Sequence, residues 1–195
     1  MKPSRLLLAI GLSLVVGGSS VCANEIFKFD PTHSTIAFKV RHLLGTAKGR
    51  FTKFNGTIEV DREHPEKSSV VATIQAASID TANPKRDDHL RTADFFDVRK
   101  YPEITFKSRG VKTTGPNAGE IAGDLTMHGV TRPITLKVQL LSDAKPAAET
   151  PTTRWRVTTA PLKRSDFGVG KGTGGEFMIG DDVSVEIEIE AARAK

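Results

Sequence analysis

The residues best suited to chemistry lie together between Ile79 and Phe106, in a stretch that reads IDTANPKRDDHLRTADFFDVRKYPEITF. Four aspartates, three basic residues and one histidine precede the adjacent Phe95 and Phe96. A carboxylate beside a histidine can serve in general acid–base catalysis, and arginines can bind phosphate or carbonyl oxygens. Long loops inside a compact domain are uncommon and often carry function, so this stretch is the first candidate site.

The remaining residues that could act in catalysis or bind a metal form no recognisable motif. The other histidines are scattered along the chain: His33, His42, His64 and His128. Zinc usually needs three or four ligands that come close together, and no HExxH or CxxC spacing is present. No serine lies in a GxSxG nucleophile turn. We therefore predict no metal, no cofactor and no catalytic residue, and keep His89 with Asp87 or Asp94 as an acid–base alternative.

The first 23 residues have the pattern of a secretory signal peptide. Lys2 and Arg5 precede an apolar run from residue 6 to 16, and small residues surround Cys22 and Ala23. Such a run is too short to span a membrane and is typical of a segment removed after export. We predict cleavage after Ala23 and a location in the bacterial periplasm.

Residues 24–195 then form the mature protein, which we interpret as a single domain. Cleavage leaves 172 residues (195 − 23) and removes the one cysteine of the chain. A chain of this length can be stabilised by its core without disulfides. Its formal charge falls from +5 to about +3, since Lys2 and Arg5 leave with the signal, and no polybasic block is present. Nucleic-acid binding is therefore not expected.

Alternation of apolar and polar residues is the dominant pattern in the mature chain. It is strictest in four stretches: Ile36 to Val40, Val70 to Ala76, Ile134 to Leu140 and Val183 to Ile189. Weaker strand patterns cover Phe27 to Asp30, Arg50 to Asp61, Glu103 to Val111, Gly119 to Met127 and Arg154 to Leu162. Strict alternation is typical of antiparallel strands with one buried face. About nine such segments in sequence predict an up-and-down barrel or a sandwich.

One short helix is expected inside the charged stretch. Asn83 can cap it, Pro84 suits its first position, and the pattern continues to Ala93. Asp87 and Arg91 would then face each other one turn apart and could form an ion pair.

The periodicity does not show whether the inward apolar side chains fill the barrel or line a cavity. In a small barrel they fill the centre, whereas in a barrel of about eight strands they can line a ligand cavity.

With strands placed on both sides, the whole chain resembles the YceI-like family of periplasmic, lipocalin-like, polyisoprenoid-binding proteins. The resemblance rests on motifs that occur in order along the chain: Asp30-Pro31-Thr32-His33-Ser34, Val40-Arg41-His42, Ile79-Asp80-Thr81, Asp94-Phe95-Phe96-Asp97-Val98, Tyr101-Pro102-Glu103-Ile104-Thr105-Phe106, Gly123 to Pro133, and Arg164-Ser165-Asp166-Phe167-Gly168.

This resemblance implies an all-β, extended eight-stranded antiparallel barrel with one short helix near its mouth. It also implies an apolar cavity that holds an isoprenoid lipid, such as an isoprenoid quinone or a polyprenyl phosphate. On this interpretation the cavity is lined by apolar residues: Ile36, Phe38, Val40, Phe54, Ile58, Ile74, Phe95, Phe96, Phe106, Leu125 and Met127. The loop from Asp143 to Thr153 is longer and richer in proline than the resemblance implies, so the resemblance does not predict the structure of that end of the barrel.

Three side chains of the charged stretch are candidates to contact a lipid head group: Arg86, His89 and Arg91. The alternative is that Arg86, Asp87 and Arg91 form an ion-pair clasp that holds the loop to the barrel. A lipid carrier would also make transient contact with a membrane or a membrane redox protein, and a homodimer is one open possibility.

Two other functions remain open. The first is an envelope enzyme that uses His89, Asp87 or Asp94 on a lipid-like substrate, which requires a perturbed acid or base facing the cavity. The second is a stress-response protein or adhesin with a filled barrel and a surface that binds another protein.

Overall fold

A computed structural model describes residues 24–42, 45–143, 151–171 and 179–194. The predicted signal peptide and residues 144–150 of the proline-rich loop lie outside these ranges. The described chain has twelve strand segments: β1 Glu25–Phe29, β2 Thr35–His42, β3 Gly45–Phe51, β4 Phe54–Val60, β5 Ser69–Gln75, β6 Ile79–Asp80, β7 Glu103–Gly115, β8 Ala118–Met127, β9 Val130–Ser142, β10 Thr152–Thr159, β11 Leu162–Lys163 and β12 Ile179–Arg193.

The segments form one closed antiparallel barrel of eight strands. Hydrogen bonding runs in the order β1-β4-β5-β7-β8-β9-β10-β12, and β1 pairs with β12 to close the ring. Three segments are parts of longer strands interrupted by breaks: β2 continues β1, β3 leads into β4, and β6 continues β5. For example, β12 pairs first with β1 and then, further along its length, with β2. The predicted eight-stranded barrel is therefore confirmed, and the larger number of segments comes from breaks within strands.

The strict alternation predicted from sequence gives each strand one inner and one outer face. Apolar side chains of β12, such as Val185 and Ile187, lie on the inner face. Glu186 and Glu188 lie between them on the outer face, where they pair with Lys39 and Arg156 at 3.0 Å. These exposed ion pairs contribute little to stability, so the inner apolar face is what holds the barrel together.

The helix α1 spans Pro84–Arg91 in the connection between β6 and β7. As predicted, Asn83 caps it: the Asn83 side chain accepts a hydrogen bond from the backbone N–H of Arg86, and Pro84 occupies the first turn. The helix ends at Arg91, two residues before the predicted end. Within the described ranges, no helix has the length and apolar character that crossing a membrane would require.

The segment after α1 returns to the barrel across the β8–β9 turn. The ring of Tyr101 lies 4.7 Å from that of His128, and His128 Nδ1 lies 3.1 Å from the carbonyl oxygen of Phe167. A Cβ atom on Gly129 would lie 2.4 Å from Tyr101 Cε1, so this turn needs glycine for close contact as well as for its positive φ of 74°. The turn thus packs against two segments, the one that contains Tyr101 and the one that contains Phe167.

Candidate ligand-binding cavity

The barrel interior contains an apolar cavity of about 690 Å³. Each of the twelve strand segments contributes at least one lining residue, because the inner face of every strand is apolar. This volume lies within the usual range of small-molecule sites, about 300–1,000 Å³. The barrel is therefore not filled by its own side chains, which removes the structural basis of the filled-barrel hypothesis.

Most of the predicted lining residues do border this cavity: Ile36, Phe38, Val40, Ile58, Ile74, Phe95, Phe96, Phe106, Leu125 and Met127. The prediction for Phe54 is wrong. Phe54 has the same parity as Ile58 in β4, but it is the first residue of the strand, and its side chain is buried in the core cluster and does not border the cavity. That these residues contact a ligand stays a prediction.

An aromatic group forms the cavity wall below the helix. The ring centroids of Phe38 and Phe51 lie 5.7 Å apart, and Phe51 meets Phe96 edge-on at 6.0 Å. Phe38 lies directly over Gly49, where a Cβ atom would come within 2.4 Å of its ring. Such pairs pack well and leave flat apolar surface towards the cavity.

The helix is held to the barrel through Thr81, on which two helix side chains converge. The carboxylate of Asp87, which is buried, accepts hydrogen bonds from the backbone N–H of Thr81 at 2.9 Å and from its hydroxyl at 2.5 Å. Arg86 donates to the Thr81 hydroxyl at 2.8 Å and to its carbonyl oxygen at 2.9 Å. The clasp therefore exists, but it consists of hydrogen bonds to Thr81 and not of ion pairs.

Arg91 does not line the cavity, which corrects its assignment as a head-group candidate. Its guanidinium donates to the backbone carbonyl oxygens of Ala77 and Ile79, both at 2.9 Å, and pairs with Asp88 at 3.0 Å. The predicted pairing of Arg91 with Asp87 is also wrong, because the Asp87 carboxylate turns inward to Thr81. Arg91 thus anchors the helix to the loop before it.

The polar side chains at the helix end of the cavity include Arg86, His89 and Arg164. His89 Nε2 lies 3.0 Å from the carboxylate of Asp94, and its ring meets Phe95 edge-on at 5.0 Å. The side chains of His89 and Asp94 are 55% and 59% exposed. A solvated pair of this kind, with Asp94 outside the lining residues, gives little support to acid–base chemistry inside the cavity.

Several lining residues were missed from the sequence, among them Trp155, Leu162 and Arg164. Trp155 and Leu162 lie in a stretch that the alternation had already marked as a strand, so the signal was present. Arg164 lies in the Arg-Ser-Asp-Phe-Gly motif, in a short 3₁₀ helix that no periodicity indicates. Its inward direction comes from the fold alone.

At the end of the barrel opposite the helix, residues of β1, β10 and β12 are buried in the core. Phe27 and Ala191 have no exposed surface, and Thr153 is 2% exposed. The Trp155 indole N–H donates to the Thr153 hydroxyl at 3.0 Å, so its one polar atom is satisfied.

The break between β1 and β2 is shaped by the Asp-Pro-Thr-His-Ser motif. Asp30 accepts from the hydroxyl and backbone N–H of Thr32, and lies 2.8 Å from the His33 ring. The Thr32 hydroxyl, then His33, lower the pKa of Asp30 to about 2, and Asp30 in turn raises the pKa of His33. Asp30, His33 and Glu190 place ligand atoms within 4.8 Å of one another, but His33 is exposed and its hydrogen bond to Asp30 is explained by the turn.

The fold defines an antiparallel β-barrel protein with an apolar interior cavity. The chain belongs to the YceI-like family, whose YceI-like domain matches residues 27–191. It is similar to a UPF0312 protein of Pseudomonas putida strain GB-1, with 35% identity over 188 residues that cover 95% of this chain and 97% of the relative.

Two solved structures share the fold. Burkholderia cenocepacia BcnA superimposes with a TM-score of 0.75 at 25% identity, covering 83% of this chain and 98% of BcnA. A polyisoprenoid binding domain from Saccharophagus degradans, implicated in plant cell wall breakdown, superimposes with a TM-score of 0.64 at 20% identity, covering 86% of this chain and 98% of that domain.

Proposed function

We propose that this protein binds an isoprenoid lipid, a quinone or a polyprenyl phosphate, inside its barrel and stores or carries it in the periplasm. The observation that carries the proposal is the apolar cavity inside the barrel, whose few basic side chains include Arg86, His89 and Arg164. A long, nearly featureless hydrocarbon needs a channel and little polar recognition. The binding property in the name of the Saccharophagus degradans neighbour supports the same ligand class.

The size of the cavity sets how much of a lipid it can hold. At about 30 Å³ for each water-sized group, 690 Å³ hold on the order of 20 carbon atoms, or four five-carbon units. At about 0.8 kcal/mol per buried carbon, each unit contributes roughly 3–4 kcal/mol before the cost of ordering the chain. A few units would therefore give micromolar or tighter binding.

The proposed role is that of a carrier and not of an enzyme. The cavity offers hydrocarbon surface and a few basic groups, and the described lining residues include no Asp or Glu. Export by the N-terminal segment would place the carrier between the two bacterial membranes, where a water-insoluble lipid needs a protein to cross. Loading and release would require transient contact with a membrane or with a membrane redox protein.

The direct test is to produce the full chain with its own signal segment in a bacterial host and purify it without detergent. We expect native mass spectrometry to show the protein with an added lipid mass, and organic extracts to contain a prenyl compound in proportion to protein. A clean unliganded mass from cells rich in such lipids would contradict the proposal.

A variant separates ligand binding from core packing. Phe38→Asp places a carboxylate on the cavity wall. We expect the variant to lose most of its bound lipid but to keep a melting temperature close to that of the wild type, because the carboxylate can reach solvent when the cavity is empty. Arg41→Asp, on the exposed outer face of the same strand, is the matched control and should retain its lipid. Equal losses of lipid and stability in Phe38→Asp would indicate simple core packing.

A further inference from the structure

The connections at the helix end of the barrel all expose positive charge. Because successive strands are antiparallel, the β2–β3, β6–β7, β8–β9 and β10–β12 connections lie together at this end. In or beside each of them is at least one exposed basic side chain that forms no ion pair with a carboxylate among the described residues. We call these six residues the basic rim: Arg41, Lys85, Arg99, Lys100, Arg132 and Lys171.

The outer wall of the barrel differs from the rim because its charges have both signs. Arg109 pairs with Asp124 at 2.7 Å. Lys112 and Lys137 lie on either side of Glu120 in the register of β7, β8 and β9. Opposite charges that alternate in this way cancel at a distance, so the wall presents little net field.

The end of the barrel opposite the helix is neutralised in the same way. Arg62 and Arg193 both pair with Glu25, at 2.7 Å and 3.0 Å. The β4–β5 connection at this end contains more acidic than basic residues: Asp61, Arg62, Glu63, Glu66 and Lys67. Unpaired positive charge is therefore concentrated at the helix end, which gives the barrel a basic end and a more acidic end.

The carboxylates at the helix end leave most of this positive charge in place. Asp166 and Asp182 are exposed there and weaken the field, and Asp182 faces Lys163 directly in the register of β11 and β12. Four other aspartates are engaged within the protein: Asp80 with Arg50, Asp88 with Arg91, Asp94 with His89 and Asp181 with Ser165. The rim therefore keeps an excess of positive charge.

From this distribution we infer that the basic rim is the surface by which the protein docks on a bilayer that contains anionic phospholipids. The inference rests on the proposed function and names the surface at which a lipid would be exchanged. The six cations lie on four separate connections around one end of the barrel, so a partner contacts them together only if it is wide and flat. A bilayer has that shape, and each Lys or Arg near an anionic bilayer strengthens binding roughly fivefold.

Docking by the rim would also bring the cavity to the membrane. The helix connection carries Lys85 and Arg99 on its exposed surface, and between them Leu90 and Phe96 border the cavity. None of the six rim residues borders the cavity. The rim therefore acts on docking and on the rate of lipid exchange, and not on the equilibrium affinity for a lipid inside the barrel.

The test measures binding to vesicles by sedimentation. The protein is exported and purified as in the direct test above, and its mass is checked for processing, because an uncleaved apolar segment would itself bind lipid. We expect it to sediment with vesicles that contain about one third phosphatidylglycerol and not with vesicles of phosphatidylcholine alone. Binding should weaken as salt is added, because salt screens exposed charges.

A triple variant of the rim, Lys85→Gln with Arg99→Gln and Lys171→Gln, should bind the anionic vesicles about a hundredfold more weakly. These three side chains form no hydrogen bond or ion pair with other described residues, so their loss should leave the fold intact. The matched control changes the net charge by the same amount on the wall, where the exposed lysines of β7 and β9 are replaced: Lys107→Gln, Lys112→Gln and Lys137→Gln. The control should bind vesicles within about twofold of the wild type.

A second measurement separates docking from ligand binding. Geranylgeraniol is titrated into delipidated protein with the fluorescence of Trp155 as the signal, because this is the one tryptophan of the chain and it lines the cavity. The rim variant should match the wild-type affinity within about twofold, yet take up the same lipid more slowly from anionic vesicles.

Equal binding of the wild type to both kinds of vesicle, or to neither, would overturn the docking surface and leave the isoprenoid function intact. Equal losses in the rim variant and the wall control would assign the effect to net charge and would also overturn it. Retention of the wild type by an acidic polypeptide, with no binding to anionic vesicles, would assign the rim to a protein partner instead. Vesicle binding that follows the rim, in a protein that takes up no prenyl compound, would support the docking surface and refute the proposed function alone.

Discussion

A single substitution inside the barrel, Ala72→Phe, should block ligand binding and stabilise the empty protein at the same time. Ala72 lies in the middle of β5, borders the cavity and is paired with Gly56 and Phe106 on the neighbouring strands. A phenyl ring at this position points into the empty space. Opposite effects on binding and stability are expected only where a real cavity exists.

The magnitudes follow from the six added carbons. Filling the cavity with them contributes about 5 kcal/mol at 0.8 kcal/mol per carbon, less about 1 kcal/mol for ordering the ring and 1–3 kcal/mol for imperfect packing. We expect a net stabilisation of about 1–3 kcal/mol. For a protein of this size that raises the melting temperature by about 2–12 °C.

The same six carbons take about 180 Å³ from the cavity, roughly the volume of one five-carbon unit and about a quarter of 690 Å³. Losing one unit of the ligand costs roughly 3–4 kcal/mol, so affinity for a geranylgeranyl compound should fall several hundredfold. Denaturant unfolding of delipidated protein and titration of the ligand measure the two effects separately. Ala122→Phe, on the exposed outer face of β8, is the control and should change neither by much.

Two outcomes would refute this reasoning. Unchanged affinity in Ala72→Phe would mean that the ligand binds outside the barrel. A lower melting temperature with lost binding would mean that the interior is already close-packed, so that the substitution acts through strain and not through occupancy.

Two further predictions concern the helix anchor and the strand break. Asp87→Asn should destabilise the protein by about 1–2 kcal/mol and speed amide hydrogen exchange at Thr81, because it weakens a buried, charge-assisted bond; the exposed Asp88→Asn is the control, and equal effects of both would contradict the clasp. Thr32→Val should raise the pKa of Asp30 from about 2 towards 3.8 in a carboxyl NMR titration, because the Thr32 hydroxyl is the largest contribution to the low value. In the wild type the charged form of Asp30 favours the fold above pH 3.8, and this contribution is lost as pH falls towards 2, so an unchanged pKa in the variant would refute the assignment.

The strands and their inner faces could be predicted from sequence because alternation is a local property. Ile36, Phe38 and Val40 have the same parity, and their strand lies with that parity towards the cavity. Phe54 shows where this reasoning ends. It has the same parity as Ile58 in β4, but packing at the start of that strand buries it in the core and not along the cavity, and parity does not specify such packing.

The anchoring of the helix was predicted only in part, for a related reason. Helical spacing places Asp87 and Arg91 one turn apart, and a pair at that distance is a reasonable expectation. Spacing cannot show that Thr81 and the carbonyl oxygens of Ala77 and Ile79 compete for the same groups. Buried backbone groups must be satisfied, and that requirement outweighs an exposed ion pair.

The sequence by itself determined antiparallel strands with one apolar face, one capped helix in the long charged connection and most members of that apolar face, while the choice of a barrel over a sandwich came from the family resemblance. These features depend on neighbours along the chain, so local patterns are enough to specify them. Only the tertiary structure decided that the barrel encloses a cavity, that Arg86 and Arg164 border this cavity and that Arg91 does not. Those outcomes depend on the number and stagger of strands around the barrel and on bonds between distant segments, which local patterns do not specify.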